Sequence, residues 1–318
     1  MFPHSENQSW SRRRFVHAAS LASALEILGG SARASKAPGS FEGTLCLFSK
    51  HLPDTNPPRL AKLVKQLGFD GVDLTVRRRG HVLPENTVQD LPRAVAAIRD
   101  AGLAVPMITT ELLSAADPAA RPILSTAGSL GIPYYKAGYY RYRFADVTTE
   151  LEQAAADFRS LVQLGRQFGI QAGYHNHAGS YVGAPVWDIA RMLDGLPPES
   201  AGYYFDIRHA VVEGGDAGWK IAAQMAAPRI KMISIKDFFW EKTSRGWQQH
   251  DCPLGQGMVD WKQYFEILAR AGFRGPVSLH IEYDIAGSTP AAVEENTLVA
   301  VKQDLDFLKA RLAQAYSK

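Results

Sequence analysis

Strand-like and helix-like stretches alternate eight times along this chain, and that alternation leaves few folds open to it. Apolar runs at residues 44–48, 71–75, 104–109, 134–138, 171–175, 202–206, 231–235 and 277–282 read as strands. Amphipathic stretches at 58–67, 88–101, 118–130, 149–168, 187–193, 217–226, 261–271 and 291–315 read as helices. Several helix-to-strand joints carry a glycine, as in Leu67-Gly68-Phe69 and Ala271-Gly272-Phe273, where a helix can end in a left-handed residue without a Cβ clash. Strands joined by helices must run parallel, and eight such units predict a single closed (β/α)8 TIM barrel. No glycine-rich phosphate fingerprint follows any strand, which disfavours a dinucleotide fold.

Four of the later runs end in polar, metal-competent side chains. They are Gly173-Tyr174-His175-Asn176-His177, Tyr203 to His209, Met232 to Asp237 and Ser278 to Asp284. In such a barrel the active site lies where the strands end, so these residues should meet in one pocket. Side chains two apart share a face of a strand. That pairs His175 with His177, Asp206 with Arg208, Ser234 with Lys236, and His280 with Glu282 on the barrel side, against apolar neighbours on the helix side. Burying so many ionisable groups is costly without a function, which weighs against a merely satisfied polar core. Asp73, Glu111 and Lys136 at the ends of earlier strands are further candidates, with Lys136 the strongest. Trp240, Trp247 and His250 fall in the long segment before Trp261 and could cover a sugar face.

The N-terminus reads as a targeting segment. Ser11-Arg12-Arg13-Arg14-Phe15 resembles a twin-arginine export motif, residues 18–28 are apolar, and Ala32-Arg33-Ala34 is a small-x-small cleavage site. Residues 1–34 are therefore expected to be removed, with 35–40 a linker and 41–318 the barrel. Periplasmic location and the twin-arginine machinery as an export partner follow. The apolar stretch is too short to span a bilayer, so no stable membrane insertion of the mature protein is expected. The formal net charge of +3 is drawn largely from this segment, with its four arginines and two glutamates, and the remainder is close to neutral. That excludes the basic footprint of a nucleic-acid binder. Cys46 and Cys252 make no disulfide framework, and Cys46 reads as a core residue.

The ordered set Tyr-His-Asn-His, Asp-x-x-His, x-Lys-Asp, Leu-Gly-x-Gly-x-x-Asp-Trp and Ile-Glu-Tyr-Asp resembles the sugar phosphate isomerase/epimerase family of xylose-isomerase-like barrels. D-tagatose 3-epimerase, inosose dehydratase and endonuclease IV belong to the same superfamily. The resemblance covers most of residues 44–310. It implies a divalent metal held by carboxylates and a histidine at the ends of strands five to eight, matching Asp206 on strand six and Glu282 on strand eight. Two positions depart: His175 stands where the family often has Glu, and Ser234 where it often has His. Serine is a poor replacement for imidazole as a ligand. The expected metal set is His175, Asp206 and Glu282, with His177, His209 or His280 able to supply a further nitrogen. Mn²⁺ or Zn²⁺ comes first, with Mg²⁺ or Co²⁺ as alternatives.

Such a site polarises a carbonyl, acidifies the neighbouring C–H and moves its proton. Asp206, Glu282, His175 and Lys236 are the expected catalytic groups. His177, His209, Arg208, Lys136, His280 and His250 are expected to contact substrate. The expected reaction is isomerisation or epimerisation of a non-phosphorylated sugar, keto-sugar or polyol. A lyase or dehydratase using the same site, and a sugar-binding barrel that has lost its metal, are the alternatives.

Overall fold

The computed structural model describes residues 40–317. The segment assigned to export, residues 1–34, and linker residues 35–39 lie outside the described residues. Strands β1 (Leu45–Phe48), β2 (Gly71–Thr75), β3 (Ala104–Thr109), β4 (Tyr134–Lys136), β5 (Gln171–His175), β6 (Ala201–Asp206), β7 (Ile230–Ile235) and, after the hairpin β8 (Asp237–Thr243) and β9 (Gly246–Cys252), β10 (Val277–Leu279) follow in chain order. The barrel closes in the order β1-β10-β7-β6-β5-β4-β3-β2, with parallel pairing throughout. Helices α1 (Pro57–Leu67), α2 (Thr87–Asp100), α3 (Ala120–Ser129), α4 (Val147–Arg166), α5 (Val186–Met192), α6 (Ile207–Ala226), α7 (Trp261–Arg270) and α8 (Pro290–Tyr316) alternate with the barrel strands. The single (β/α)8 barrel expected from the sequence is the fold.

Local chemistry sets the joints. Asn56 caps α1 by accepting from the Arg59 amide at 3.0 Å, and prolines begin that helix. Gly68, at φ 92°, ends it. Asp260 caps α7 by accepting from the Gln263 amide at 3.0 Å. The strands are buried on both faces, which is why they read as apolar runs. On β5, Tyr174 packs edge-on against Phe158 of α4 at 5.4 Å, whereas His175 stacks on Tyr204 of β6 at 4.5 Å. Cys46 is a core residue, as expected.

Two elements differ from the sequence reading. The sixth helix starts directly after Asp206 rather than at residue 217, because the Asp206 carboxylate caps it by accepting from the His209 amide at 3.1 Å. Arg208 and His209 are therefore first-turn helix residues, not strand residues. Gly215 breaks the helical geometry within this span. The segment between β7 and Trp261 is the antiparallel hairpin β8–β9, not a loop. Its polar sequence concealed it, since much of the ribbon is exposed.

The motif Gly255-x-Gly257-x-x-Asp260-Trp261 acquires a structural role. The buried Asp237 carboxylate accepts from the amides of Phe238, Gly255, Gly257 and Val259 and from the Trp261 indole. A side chain at position 257 would collide with Asp237. This carboxylate ties the base of the hairpin to the start of α7.

Candidate active site

A cavity of about 280 Å³ opens at the C-terminal ends of the barrel strands. Its lining includes Lys136, His175, His177, Arg208, His209, Lys236, His280 and Glu282, so eight of the ten residues expected to bind metal, contact substrate or act in catalysis meet there. Asp206 lies just beneath, with its side chain wholly buried. His250 is the exception. It sits on β9, stacked on Phe239 at 5.5 Å with Nε2 3.0 Å from Glu241, and does not line this cavity. Its expected substrate contact is corrected accordingly, because the hairpin carries it away. Trp240 and Trp247 also lie on the hairpin and are absent from the cavity wall.

Asp206 is the hub. Its Oδ2 accepts from His175 Nε2 at 3.0 Å and from Ser234 Oγ at 2.7 Å, and lies 3.2 Å from the Lys236 ammonium. Its Oδ1 accepts from the His209 amide. Asn176 closes the strand ends by exchanging two hydrogen bonds of 2.8 Å with the Asp206 backbone. Burial alone pushes the Asp206 carboxyl up. The Lys236 ammonium, with His209 and His175, outweighs burial and holds it well below the usual carboxylate range. Burial pushes His175 the other way, down to about 3, so its imidazole is neutral at physiological pH. Nε2–H then donates to Asp206, and Nδ1 accepts from the Tyr139 hydroxyl at 2.6 Å. The result is a hydrogen-bonded chain from Tyr139 through His175 to Asp206.

A second group faces it. Glu282 accepts from Lys50 Nζ at 2.9 and 3.2 Å, and His280 Nδ1 lies 3.6 Å from its Oε1. Burial raises the Glu282 carboxyl, but His280, Lys236 and Lys50 outweigh that and hold it ionised. His280 is stacked on Phe48 at 4.5 Å. Its Nε2 is shared with Tyr204 and Ser278, while Nδ1 is buried with no hydrogen-bond partner. Beneath both groups Asp73 is buried, accepting from Thr109, Ser278 and Tyr204, and burial raises its carboxyl. Asp73 is thus a structural polar core residue. Glu111 pairs with Arg77 and Arg78 and does not line the cavity.

The metal set expected from the sequence is divided between these groups. Both oxygens of Asp206 and both nitrogens of His175 already have partners, and an ammonium stands beside Oδ2. Those donors are engaged within the protein in this arrangement. Among the described residues, the metal-capable trio whose ligand atoms lie within 4.8 Å of one another is His51, His280 and Glu282. Burial lowers both imidazoles, leaving them neutral. The Ile281 amide donates to His51 Nε2 at 3.0 Å and Lys50 donates to both Glu282 oxygens, whereas His280 Nδ1 is buried with no hydrogen-bond partner. Of the expected set of His175, Asp206 and Glu282, the structure places His175 and Asp206 in one hydrogen-bonded group and Glu282, beside His280, in the other.

Several lining residues escaped the sequence reading. Lys50 follows β1, Arg77 follows β2 and Tyr139 follows β4, so the strand-end rule would have found them. Asp251, on the hairpin, carried no such signal. Asp251 accepts from Arg208 Nε at 2.8 Å and fixes that guanidinium at the rim.

The sequence profile of the xylose isomerase-like TIM barrel family matches residues 61–311. The chain belongs to that family. An inosose dehydratase of Lacticaseibacillus casei is 27% identical over 152 residues, covering 44% of this chain and 50% of that protein. The chain thus spans about half the length of the curated relatives it matches. Among solved structures, an L-ribulose 3-epimerase superposes with a TM-score of 0.63 at 15% identity, covering 86% of this chain and 95% of the other. A xylose isomerase-like TIM barrel protein from Mycobacterium smegmatis in complex with magnesium gives 0.63 at 16% identity, covering 88% and 100%. At these identities the two structures share the fold with this family member. Among the described residues no helix is long and apolar enough to cross a membrane.

Proposed function

We propose that this family member is a sugar-modifying enzyme that moves a proton beside a carbonyl of a non-phosphorylated carbohydrate, with isomerisation or epimerisation as the outcome. The observation that carries the reading is the cavity itself. An ionised Glu282, the Tyr139–His175–Asp206 chain and three lysines, Lys50, Lys136 and Lys236, surround a space of about 280 Å³. That lies near the small end of ligand pockets, roughly 300 Å³ upward, and suits a single ring. Glu282 takes the proton, because it is ionised and reaches the cavity. Lys236, anchored by Asp206, stabilises the negative oxygen that develops. Burial raises the Tyr139 hydroxyl well above its ordinary value, so it stays protonated and holds His175 in place by donating to Nδ1. Arg208, His177 and His209 line the rim and hold hydroxyls. A divalent ion, Mn²⁺ or Zn²⁺ first and Mg²⁺ or Co²⁺ as alternatives, would be held by Glu282 and His280 with His51 beside them. When bound it supplies charge that polarises the carbonyl and its neighbouring hydroxyl.

A lyase outcome is the second reading, favoured by the name inosose dehydratase among the relatives. In that case abstraction of the same proton is followed by loss of a β-hydroxyl, which leaves as water when Glu282 returns that proton to it. Residues 1–34 are assigned as a cleaved twin-arginine signal, with the mature protein in the periplasm. The test of the chemistry is incubation of ketoses, keto-glycosides and inosose-like compounds in heavy water. Deuterium should enter the carbon next to the carbonyl, read by NMR. Tight sugar binding without exchange or turnover across the panel would replace the enzyme with a binding barrel.

A further inference from the structure

The charges that line the cavity do not balance. Three of its cations have a carboxylate of their own: Lys50 has Glu282 at 2.9 Å, Arg208 has Asp251 at 2.8 Å and Lys236 has Asp206 at 3.2 Å. Lys136 and Arg77 are left over. Lys136 is only 3% exposed, yet among the described residues it has no carboxylate within 4 Å. Its ammonium nitrogen lies 3.4 Å from the centroid of the Tyr139 ring. Arg77 has a long contact of 3.9 Å with Glu111, an exposed carboxylate that Arg78 also engages at 3.4 Å. Such an exposed contact neutralises little. The Arg77 Nε is buried with no hydrogen-bond partner. Topology puts the two cations side by side. Thr75, Thr109 and Lys136 are register partners across β2, β3 and β4, and Arg77 lies two residues past Thr75. Thr109 lies on the wall between them with its hydroxyl turned to Asp73. Burial, with Arg77 nearby, pulls the Lys136 pKa down to about 7, the mark of an ammonium short of counter-charge.

We propose that Lys136 and Arg77 form an anion-binding corner that takes a carboxylate of the sugar, so that the substrate is an acidic carbohydrate, a keto derivative of a uronic or aldonic acid. The proposal rests on the proposed carbon-acid chemistry and names its substrate class. A neutral ring would leave the surplus in place, because hydroxyls solvate a buried cation without neutralising it. A carboxylate neutralises it and gains charge-assisted hydrogen bonds from the guanidinium fork and the ammonium. The corner is also well placed for the reaction. In the closed ring β4 and β10 take opposite positions, so Lys136 at the end of β4 stands across the mouth from Glu282 beyond β10. The anionic end of the ligand is thereby held away from the carboxylate that takes the proton, while the carbonyl end lies towards Glu282 and Lys236. Two side chains suit the two oxygens of a carboxylate. A phosphate presents three, and no strand is followed by the glycine-rich turn whose amides would serve them.

The experiment compares matched sugars that differ only in the acid group. D-glucuronate against D-glucose, and D-galacturonate against D-galactose, are titrated into the mature protein by calorimetry at low ionic strength. The expected result is that at least one uronate binds about tenfold or more tightly than its neutral partner, with the margin shrinking as sodium chloride is added. Lys136→Met should bring that ratio to about 1, and Arg77→Met should lower it in the same direction. Lys136→Met removes an uncompensated buried cation, so its thermal midpoint without ligand should equal or exceed that of wild type. The rise in midpoint that the preferred uronate produces in wild type should be absent from the variant. Equal affinities within both pairs, or a ratio that survives Lys136→Met, would overturn the inference. Tighter binding of D-glucose 6-phosphate than of D-glucuronate would overturn the choice of carboxylate. The proposed function is read separately, by deuterium exchange. Exchange on neutral ketoses with no preference for uronates would overturn the inference and leave the proposed function standing. A uronate preference without exchange on keto-sugars or their acids would keep the anion corner and refute the proton abstraction.

Discussion

Asp206→Asn isolates the hub of the site in one substitution. Asn keeps the size and can still accept from the His209 amide, but it removes the only carboxylate the structure places within 4 Å of the Lys236 ammonium among the described residues. Lys236 is buried, so its charge cannot be handed to water. Breaking a buried pair by removing one partner costs about 3–5 kcal/mol. With a urea m-value of about 3 kcal/mol/M for a chain of this size, the unfolding midpoint should fall by about 1–1.7 M. Replacing the lysine as well, in Asp206→Asn with Lys236→Met, should recover about 2 kcal/mol or more, because the stranded charge is gone.

The pH dependence has a definite sign. The folded-state pKa of Asp206 is depressed, so its stabilisation is present above the unfolded carboxyl value of about 3.9 and is lost as pH falls through the folded value. The gap between wild type and Asp206→Asn should be full at pH 6 and close progressively in acid. Urea titrations followed by tryptophan fluorescence at several pH values measure this. A midpoint shift below about 0.3 M at pH 6, or no recovery in the double variant, would mean that Asp206 and Lys236 are not the buried ion pair described.

Metal analysis separates the two halves of the site. His280→Ala should lower divalent-ion occupancy of dialysed protein by about tenfold, whereas Asp206→Asn should leave it within about twofold; loss of metal in Asp206→Asn alone would return the ion to Asp206. Export is tested by changing Arg12 and Arg13 together to Lys, which should leave the uncleaved protein in the cytoplasm on fractionation. Unchanged export would remove the twin-arginine assignment.

The barrel was legible because its physics is written locally. Strands buried on both faces must be apolar, helices between them must be amphipathic, and the joints need caps such as Asn56 and Asp260. The side chains that converge were legible for the same reason, since the end of a parallel strand is a fixed place in the fold. The occupancy of their lone pairs was not. His175, Ser234, Lys236 and the His209 amide reach Asp206 from β5, β7 and α6, and no spacing in the sequence shows that together they use its carboxylate. A residue-type match marks Asp206 as a metal ligand, and the packed structure adds that it is the counter-ion of a lysine. The reverse happened at Glu282, where an unremarked neighbour, His51, joins an expected one, His280. The hairpin was missed because a ribbon exposed on much of its surface lacks the apolar run that marks a barrel strand, and His250 was misplaced with it. Lys136 shows the same division most sharply. Its position at a strand end made it a candidate, but what makes it chemically distinct is the carboxylate it lacks. That contrast with Lys236 is set by the three-dimensional distribution of Asp206, Asp73 and Glu111, which no spacing in the sequence shows.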